Sequence, residues 1–191
     1  MLVPLPPDEA LSRAERAKLQ RETARIALRH SAVRCGAAVV EWPQREDGVP
    51  MPTGGWHWSV SHTRRWAAAV VAPCPIGIDV EWIRPRKEML WDGVADADEW
   101  RRFGERSWDA FFRLWTAKEA TLKAHGKGIG YLSDAKLIAV PDVASMVIDL
   151  RGDSHRVLQL RIDDHIAAVS PVAGPVEWLV HTGSPAIPQH E

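Results

Sequence analysis

The periodicity of the chain changes twice along its length, and that order restricts the fold more than any single motif does. From Asp8 to about Ala32, Leu11, Ala14, Leu19, Ile26 and Leu28 lie in a background of Ala, Arg, Glu and Gln, which predicts helix with one break. Short β-type runs follow. They are Gly36 to Trp42, then, after a turn-rich loop from Pro43 to Gly55, Trp56 to Val60, Trp66 to Ala72 and Ile76 to Trp82. The last three read as a meander of adjacent strands. Beyond Arg84-Pro85-Arg86 the pattern returns to helix, with an acidic start at Asp96, Asp98 and Glu99 and a long segment from Ser107, an N-cap residue type, to His125. Gly126-Lys127-Gly128 closes that helix. Strands are then expected at Ala135 to Val140, Ser145 to Leu150, His155 to Ile162, Ile166 to Pro171 and Val176 to His181, before a loose tail from Gly183. Helix then strands, twice, predicts an α+β fold with an N-terminal half over 1–84, a C-terminal half over 85–182 and a tail over 183–191.

Charge excludes several functions. Lys plus Arg number 24 against 25 Asp plus Glu in 191 residues, so a net charge of -1 gives no general field for nucleic acid or an anionic membrane. No apolar run approaches the roughly 20 residues of a membrane helix, and a cytoplasmic location is expected. Cys35 and Cys74 have no C-x-x-C spacing, which argues against a zinc site or disulfide scaffold and predicts two small core residues in a reducing compartment. The ten Trp residues follow no repeat and are expected in the core or half-buried at the surface.

Three groups of residues have the makings of a site. In Ile76-Gly77-Ile78-Asp79-Val80-Glu81, strand alternation puts Asp79 and Glu81 on one face and Ile78 and Val80 on the other. Such a pair fits either Mg²⁺, which takes one or two carboxylates with waters and phosphates, or an edge strand with a solvated acidic face. In Leu114-Trp115-Thr116-Ala117-Lys118-Glu119-Ala120-Thr121-Leu122-Lys123, the residues Trp115, Glu119 and Lys123 share one helix side. Glu119 and Lys123 can address one site or simply form a helix-stabilising pair. In Ser61-His62-Thr63-Arg64-Arg65, hydroxyls, an imidazole and guanidiniums suit a phosphate. The first helix, with Arg13, Arg16, Lys18, Arg21, Arg25, Arg29 and Arg34 outnumbering Glu15 and Glu22, offers either a phosphate-binding or a merely solvated face.

Taken in order, Ser61-His62, Ile76 to Glu81, and Leu114 to Lys123 followed by Gly126-Lys127-Gly128 resemble the 4'-phosphopantetheinyl transferase family, in particular its surfactin-synthetase-activating type. Weaker similarity runs through Gly48-Val49-Pro50, where the family has Gly-Lys-Pro, and through Asp164 to Val169. The resemblance implies two similar α/β halves related by a pseudo-twofold, with coenzyme A as substrate in the cleft between them. It implies transfer of the phosphopantetheine arm to a serine of an apo acyl or peptidyl carrier protein, releasing adenosine 3',5'-bisphosphate. Asp79, Glu81 and Glu119 would hold Mg²⁺, or Mn²⁺ in its place. Glu119 would take the serine proton and Lys123 would neutralise phosphate charge. Ser61 and His62 would bind the 3'-phosphate, with Lys18, Arg25 or Arg45 assisting. Neither nucleic acid nor membrane is an expected partner, and a monomer is expected because one chain carries both the Ser61-His62 and Glu119 blocks. Two other readings use the same parts. One is a non-catalytic module of this fold that binds a carrier protein or coenzyme A, and the other is a Mg²⁺-dependent phosphodiesterase or nuclease.

Overall fold

The computed structural model describes residues 1–6, 11–39 and 41–181. The expected helix start at Asp8 and the expected loose tail from Gly183 lie outside the described residues. Helix α1 (Arg13–Cys35) begins where Ser12 and Glu15 cap each other reciprocally, and it ends on Gly36 at φ +71°, a conformation glycine adopts without strain. It runs without the expected break. Its buried positions, Thr23, Ala24, Ala27, Leu28, Ser31 and Ala32, recur with helical spacing and press onto a three-stranded sheet.

That sheet contains β1 (Leu2–Pro4), β2 (His57–His62) and β3 (Trp66–Ala72) in the antiparallel order β1-β3-β2. The segment expected as a strand from Gly36 to Trp42 is irregular at its described residues. Ala37 is buried and Val39 and Trp42 are half-buried against the α1 core, but none of the described residues of this segment pairs with a strand. Apolar patterning here marked burial, not pairing.

The expected meander also ends early. Strand β4 (Gly77–Trp82) leaves β3 and opens a second antiparallel sheet of five strands, with β5 (Ala135–Asp142), β6 (Ser145–Leu150), β7 (Asp153–Ile162) and β8 (His165–Ser170) in the order β4-β8-β7-β6-β5. Asp79 stands opposite Ala168 and Glu81 opposite Ile166. No strand forms over Val176 to His181, where a single bridge joins Val180 to Leu2. A three-residue β1 offers little edge to extend. The chain is thus α+β, with a helix across a sheet in each half, although the sheets have three and five strands.

A short 3₁₀ turn (Glu88–Leu90), α2 (Trp91–Val94) and α3 (Ala97–Phe103) lead into α4 (Trp108–Ala124), which Ser107 caps through a 3.1 Å bond from the Ala110 N–H. Helix α4 buries Phe111, Leu114 and Leu122 against Leu137, Met146, Ile148 and Ile166 of the larger sheet. On the opposite face of that sheet, Ile78, Val80 and Ala167 meet Leu2, Trp66 and Ala68 of the smaller one. This second apolar seam joins the two sheets, and β4, expected in the N-terminal half, belongs to the larger one. Trp58, Trp66 and Trp100 are buried, and Trp91 packs 4.6 Å from Trp108, so the tryptophans serve packing as expected. The cysteines do not. Cys35, the last residue of α1, and Cys74, between two prolines in the β3–β4 turn, are both exposed, because each falls where an element ends at the surface. No helix among the described residues is long and apolar enough to cross a membrane.

Candidate active site

Strand alternation works on β4 as the sequence predicts: Ile78 and Val80 enter the seam between the sheets, while Asp79 is buried on the face that meets α4. Gly77 makes that meeting possible. A Cβ at this position would lie 2.0 Å from the Ala120 carbonyl oxygen and 2.7 Å from the Ala124 nitrogen, so only glycine lets β4 lie flush on the helix. The close approach brings the Lys123 Nζ to 2.7 Å from Asp79 Oδ1 and 3.2 Å from the Ile78 carbonyl oxygen. Lys123 therefore directs its ammonium to the strand.

Two serines of β2 complete the junction. Ser59 Oγ accepts the Ile78 N–H at 3.1 Å, and Ser61 Oγ donates to Asp79 Oδ1 at 2.8 Å. The edge of the smaller sheet is thereby tied to β4 through side chains. Asp79 Oδ1 takes two donors, whereas Asp79 Oδ2 and Glu119 Oε1 are buried without a hydrogen-bond partner. A native interior seldom leaves such oxygens unpaired.

The electrostatics agree with a site short of positive charge. Burial pushes the Glu119 carboxyl up to about 7, Asp79 adds to the rise and Lys123 opposes it. Burial likewise pushes Glu81 up to about 7, helped by Asp79 and Glu119 and opposed by Arg86 and Lys123. Among the described residues no three His, Cys, Asp or Glu side chains are gathered closely enough to hold a metal by themselves. Mg²⁺ makes no such demand, since it takes one or two carboxylates and completes its shell with water and phosphate oxygens. The two orphaned oxygens and the raised carboxylates fit a hard cation.

His62 ends β2 beside this cluster. Burial of part of its ring lowers its pKa, and Lys123 and Arg21 push the same way against Asp79. Arg21 is one of the basic residues of the first helix that the sequence offers as a phosphate-binding or a solvated face. It belongs to α1, whose Gln20 Nε2 donates to the Thr63 carbonyl oxygen at 2.9 Å and docks the helix on the turn that holds His62. Spacing held a hint of it, because Lys18, Arg21 and Arg25 follow one another at three and four residues and so share a helix face. Lys18 is exposed and lies 3.9 Å from Glu22, Arg25 is exposed about two turns further along, and Arg45 is ion-paired to Asp47. The structure thus brings together Ser61, His62, Asp79, Glu119 and Lys123, with Glu81 in the same field. It shows Lys18, Arg25 and Arg45 in no direct contact with them among the described residues. The loop carrying Arg45 does approach α4, since Val49 Cγ1 would lie 3.3 Å from a Cβ on Gly126. Trp115 packs on the core and stacks with Phe111 at 6.1 Å.

Lys118 and Glu119 are sequence neighbours with opposite surroundings. Lys118 Nζ lies 2.6 Å from Glu99 Oε1 and donates to the Val94 carbonyl oxygen at 2.7 Å. Glu99 also accepts the Leu137 and Asp96 N–H groups.

Residues 75–170, half of the chain, match the 4'-phosphopantetheinyl transferase superfamily. The chain belongs to that superfamily. It is 38% identical over 80 residues to the 4'-phosphopantetheinyl transferase psf-1 of Bacillus pumilus, covering 40% of this chain and 34% of that protein. It is 28% identical over 103 residues to the 4'-phosphopantetheinyl transferase Sfp of Bacillus subtilis, covering 52% of this chain and 46% of that protein. With the 4'-phosphopantetheinyl transferase HetI of Nostoc sp. it shares 31% identity over 134 residues, 63% of this chain and 53% of that protein. The chain thus spans between about a third and a half of the length of these relatives. The superfamily match contains Asp79, Glu81, Glu119 and Lys123, while Ser61 and His62 lie ahead of it.

Proposed function

We propose that the protein transfers the 4'-phosphopantetheine arm of coenzyme A to a serine of an apo acyl or peptidyl carrier protein, releasing adenosine 3',5'-bisphosphate in a Mg²⁺-dependent reaction. The observation that carries this reading is the pair of buried, unpartnered oxygens, Asp79 Oδ2 and Glu119 Oε1, beside Lys123 in a chain of this superfamily. Asp79 and Glu119, with Glu81 in the same field, would hold Mg²⁺, or Mn²⁺ in its place, with water completing the shell, and the bound ion would offset the charge of the coenzyme A pyrophosphate.

The protein's own groups do the rest. Glu119 accepts the proton of the attacking serine hydroxyl. Lys123, anchored by Asp79 and the Ile78 carbonyl oxygen, presents a cation to the phosphoryl oxygens as charge builds on them. Ser61 fixes Asp79 through its 2.8 Å bond, and His62 meets the 3'-phosphate at the mouth of the site, with Arg21 and, further out, Lys18, Arg25 and Arg45 supplying positive charge. One chain supplies both the Ser61-His62 turn and the Glu119 helix, so a cytoplasmic monomer suffices.

Intact mass spectrometry of an apo carrier protein incubated with this protein, coenzyme A and Mg²⁺ tests the reading. A gain of one phosphopantetheine that disappears with EDTA, and in Asp79→Ala and Glu119→Ala variants that remain folded, is expected. Tight coenzyme A binding with no gain on any carrier type leaves a binding module instead, and cleavage of a phosphodiester without transfer leaves a hydrolase.

A further inference from the structure

Beyond the proposed catalytic cluster, the last turn of α4 meets β7 through two imidazoles. His125 caps the helix, and His155 stands opposite Ile148 in the β6–β7 ladder, which places its side chain on the sheet face that packs against α4. The ring centroids are 4.7 Å apart and the planes are inclined at 55°. His155 Nε2 is buried and has no hydrogen-bond partner. Two close imidazoles with an orphaned ring nitrogen contribute little as packing groups, since a buried polar atom left unpaired is costly.

The spacing has a chemical meaning. An imidazole nitrogen bound at about 2.0–2.1 Å puts its ring centre about 3.2 Å from the ion, so two such rings at roughly 90–110° have centres about 4.5–5.2 Å apart. The observed separation falls in that interval. The C-terminal end of α4 also favours a cation, against which the nearby Lys127 acts.

We propose that His125 and His155 form a two-histidine site for a divalent transition metal ion of the Zn²⁺ class, with water completing the shell. Imidazole ligands suit Zn²⁺, Ni²⁺ and Cu²⁺ and not Mg²⁺, so this site and the carboxylate cluster take different ions. A bound ion ties the end of α4 to β7 two residues beyond Lys123.

The test is calorimetric titration of the full chain with Zn²⁺ in excess Mg²⁺. A Cys35→Ser/Cys74→Ser background is used, because both exposed thiols would otherwise take the metal. One equivalent of Zn²⁺ is expected to bind, with the affinity falling more than about tenfold in His125→Gln and in His155→Gln, since losing even an outer partner of a metal ligand brings about that much. His30→Gln serves as control, because the His30 and His181 rings are 6.1 Å apart and offer the competing pair. His125 is exposed, so its substitution leaves the core untouched even if the His155 variant misfolds. Absence of a one-equivalent site, unchanged affinity in His125→Gln, or an equal loss in His30→Gln overturns the proposal. Because the readout is binding and not transfer, it stands or falls independently of the proposed reaction.

Discussion

Helix α4 carries two lysines five residues apart, on nearly opposite sides, and each ends on a carboxylate. At Lys118 the ion pair is sealed, with side-chain exposures of 1% and 3%, and Glu99 has both oxygens satisfied by the lysine and by the Leu137 and Asp96 N–H groups. At Lys123 the corresponding exposures are 28% and 6%, and the second oxygen of Asp79 and one of Glu119 are left without partners. The same chemical pair therefore does two jobs. A sealed pair fixes α3 against α4 and the start of β5, whereas an open pair with orphaned oxygens has capacity left for a ligand. Satisfaction of the surrounding polar atoms, more than burial or charge, separates the sealed pair from the open one.

Removing each lysine sharpens the contrast. Lys118→Met removes the buried cation beside Glu99 and leaves it Lys136 at 3.7 Å and two backbone N–H groups, so urea unfolding should show a loss of about 3 kcal/mol. Carrier modification per folded molecule should stay near that of the parent. Lys123→Met also takes the ammonium from a buried carboxylate, Asp79, so it should lose about 1–3 kcal/mol, but it alone should reduce transfer per folded molecule, by about 10²–10³-fold, the range for removing one preorganised charge-stabilising group. Unchanged transfer per folded molecule in Lys123→Met, or an equal loss of transfer in Lys118→Met, would erase the distinction.

Gly77→Ala attacks the geometry that the open pair depends on. The new Cβ must push β4 away from the Ala120 carbonyl, and overpacking of this kind costs about 1–3 kcal/mol. Because the displaced strand carries Asp79 away from Lys123, transfer and stability should fall together. A variant that loses stability but keeps full transfer would show that the flush contact does not position the carboxylate.

The sequence made parts of this arrangement readable and hid others for definable reasons. β3 and β6 have the predicted limits, and α4 begins after Ser107 as its capping chemistry indicates, because alternation and caps are local properties. Alternation also assigned the faces of Asp79 and Glu81. It could not reveal that β4 pairs with β8, since a strand's pattern records which sides are buried and not which strand lies alongside. Three residues of β1 carry no period at all, and Gly36 to Trp42 shows that apolar residues can enter a core from a loop. The site residues lay in visible motifs, but their bonds did not: the i, i+4 spacing of Glu119 and Lys123 suggests a mutual pair, yet Lys123 bonds Asp79. Arg21 was legible only as one of seven cations on the first helix; what sets it apart is that α1 docks on the β2–β3 turn, which puts it in the electrostatic field of His62.

The carboxylates beside the open pair should respond to pH. Glu119 and Glu81 are raised from 4.5 to about 7 in the folded protein, so folding favours their protonated forms. Their contribution to stability is present in full below about 4.5 and disappears as pH rises through about 7. In EDTA, melting should therefore occur at lower temperature at pH 8 than at pH 5.5. Glu119→Gln should remove part of that slope and stabilise the metal-free protein at pH 8 by on the order of 1–3 kcal/mol. An unchanged slope in Glu119→Gln would mean that its carboxylate is not the strained member.

The smallest expected effect belongs to His62, at the rim where the open pair meets solvent. His62→Ala removes one hydrogen-bonding group for the 3'-phosphate, a bond to a charged partner worth about 1.5–3 kcal/mol when fully formed and less at an exposed position. The apparent affinity for coenzyme A should fall about tenfold, while that for 3'-dephospho-coenzyme A changes little. The ratio of the two ligands carries the information, because general damage to the site lowers both. Equal losses would move the 3'-phosphate away from His62, and Arg21→Ala would then be the next variant to compare, since Arg21 belongs to the same charge field and hangs from a different element.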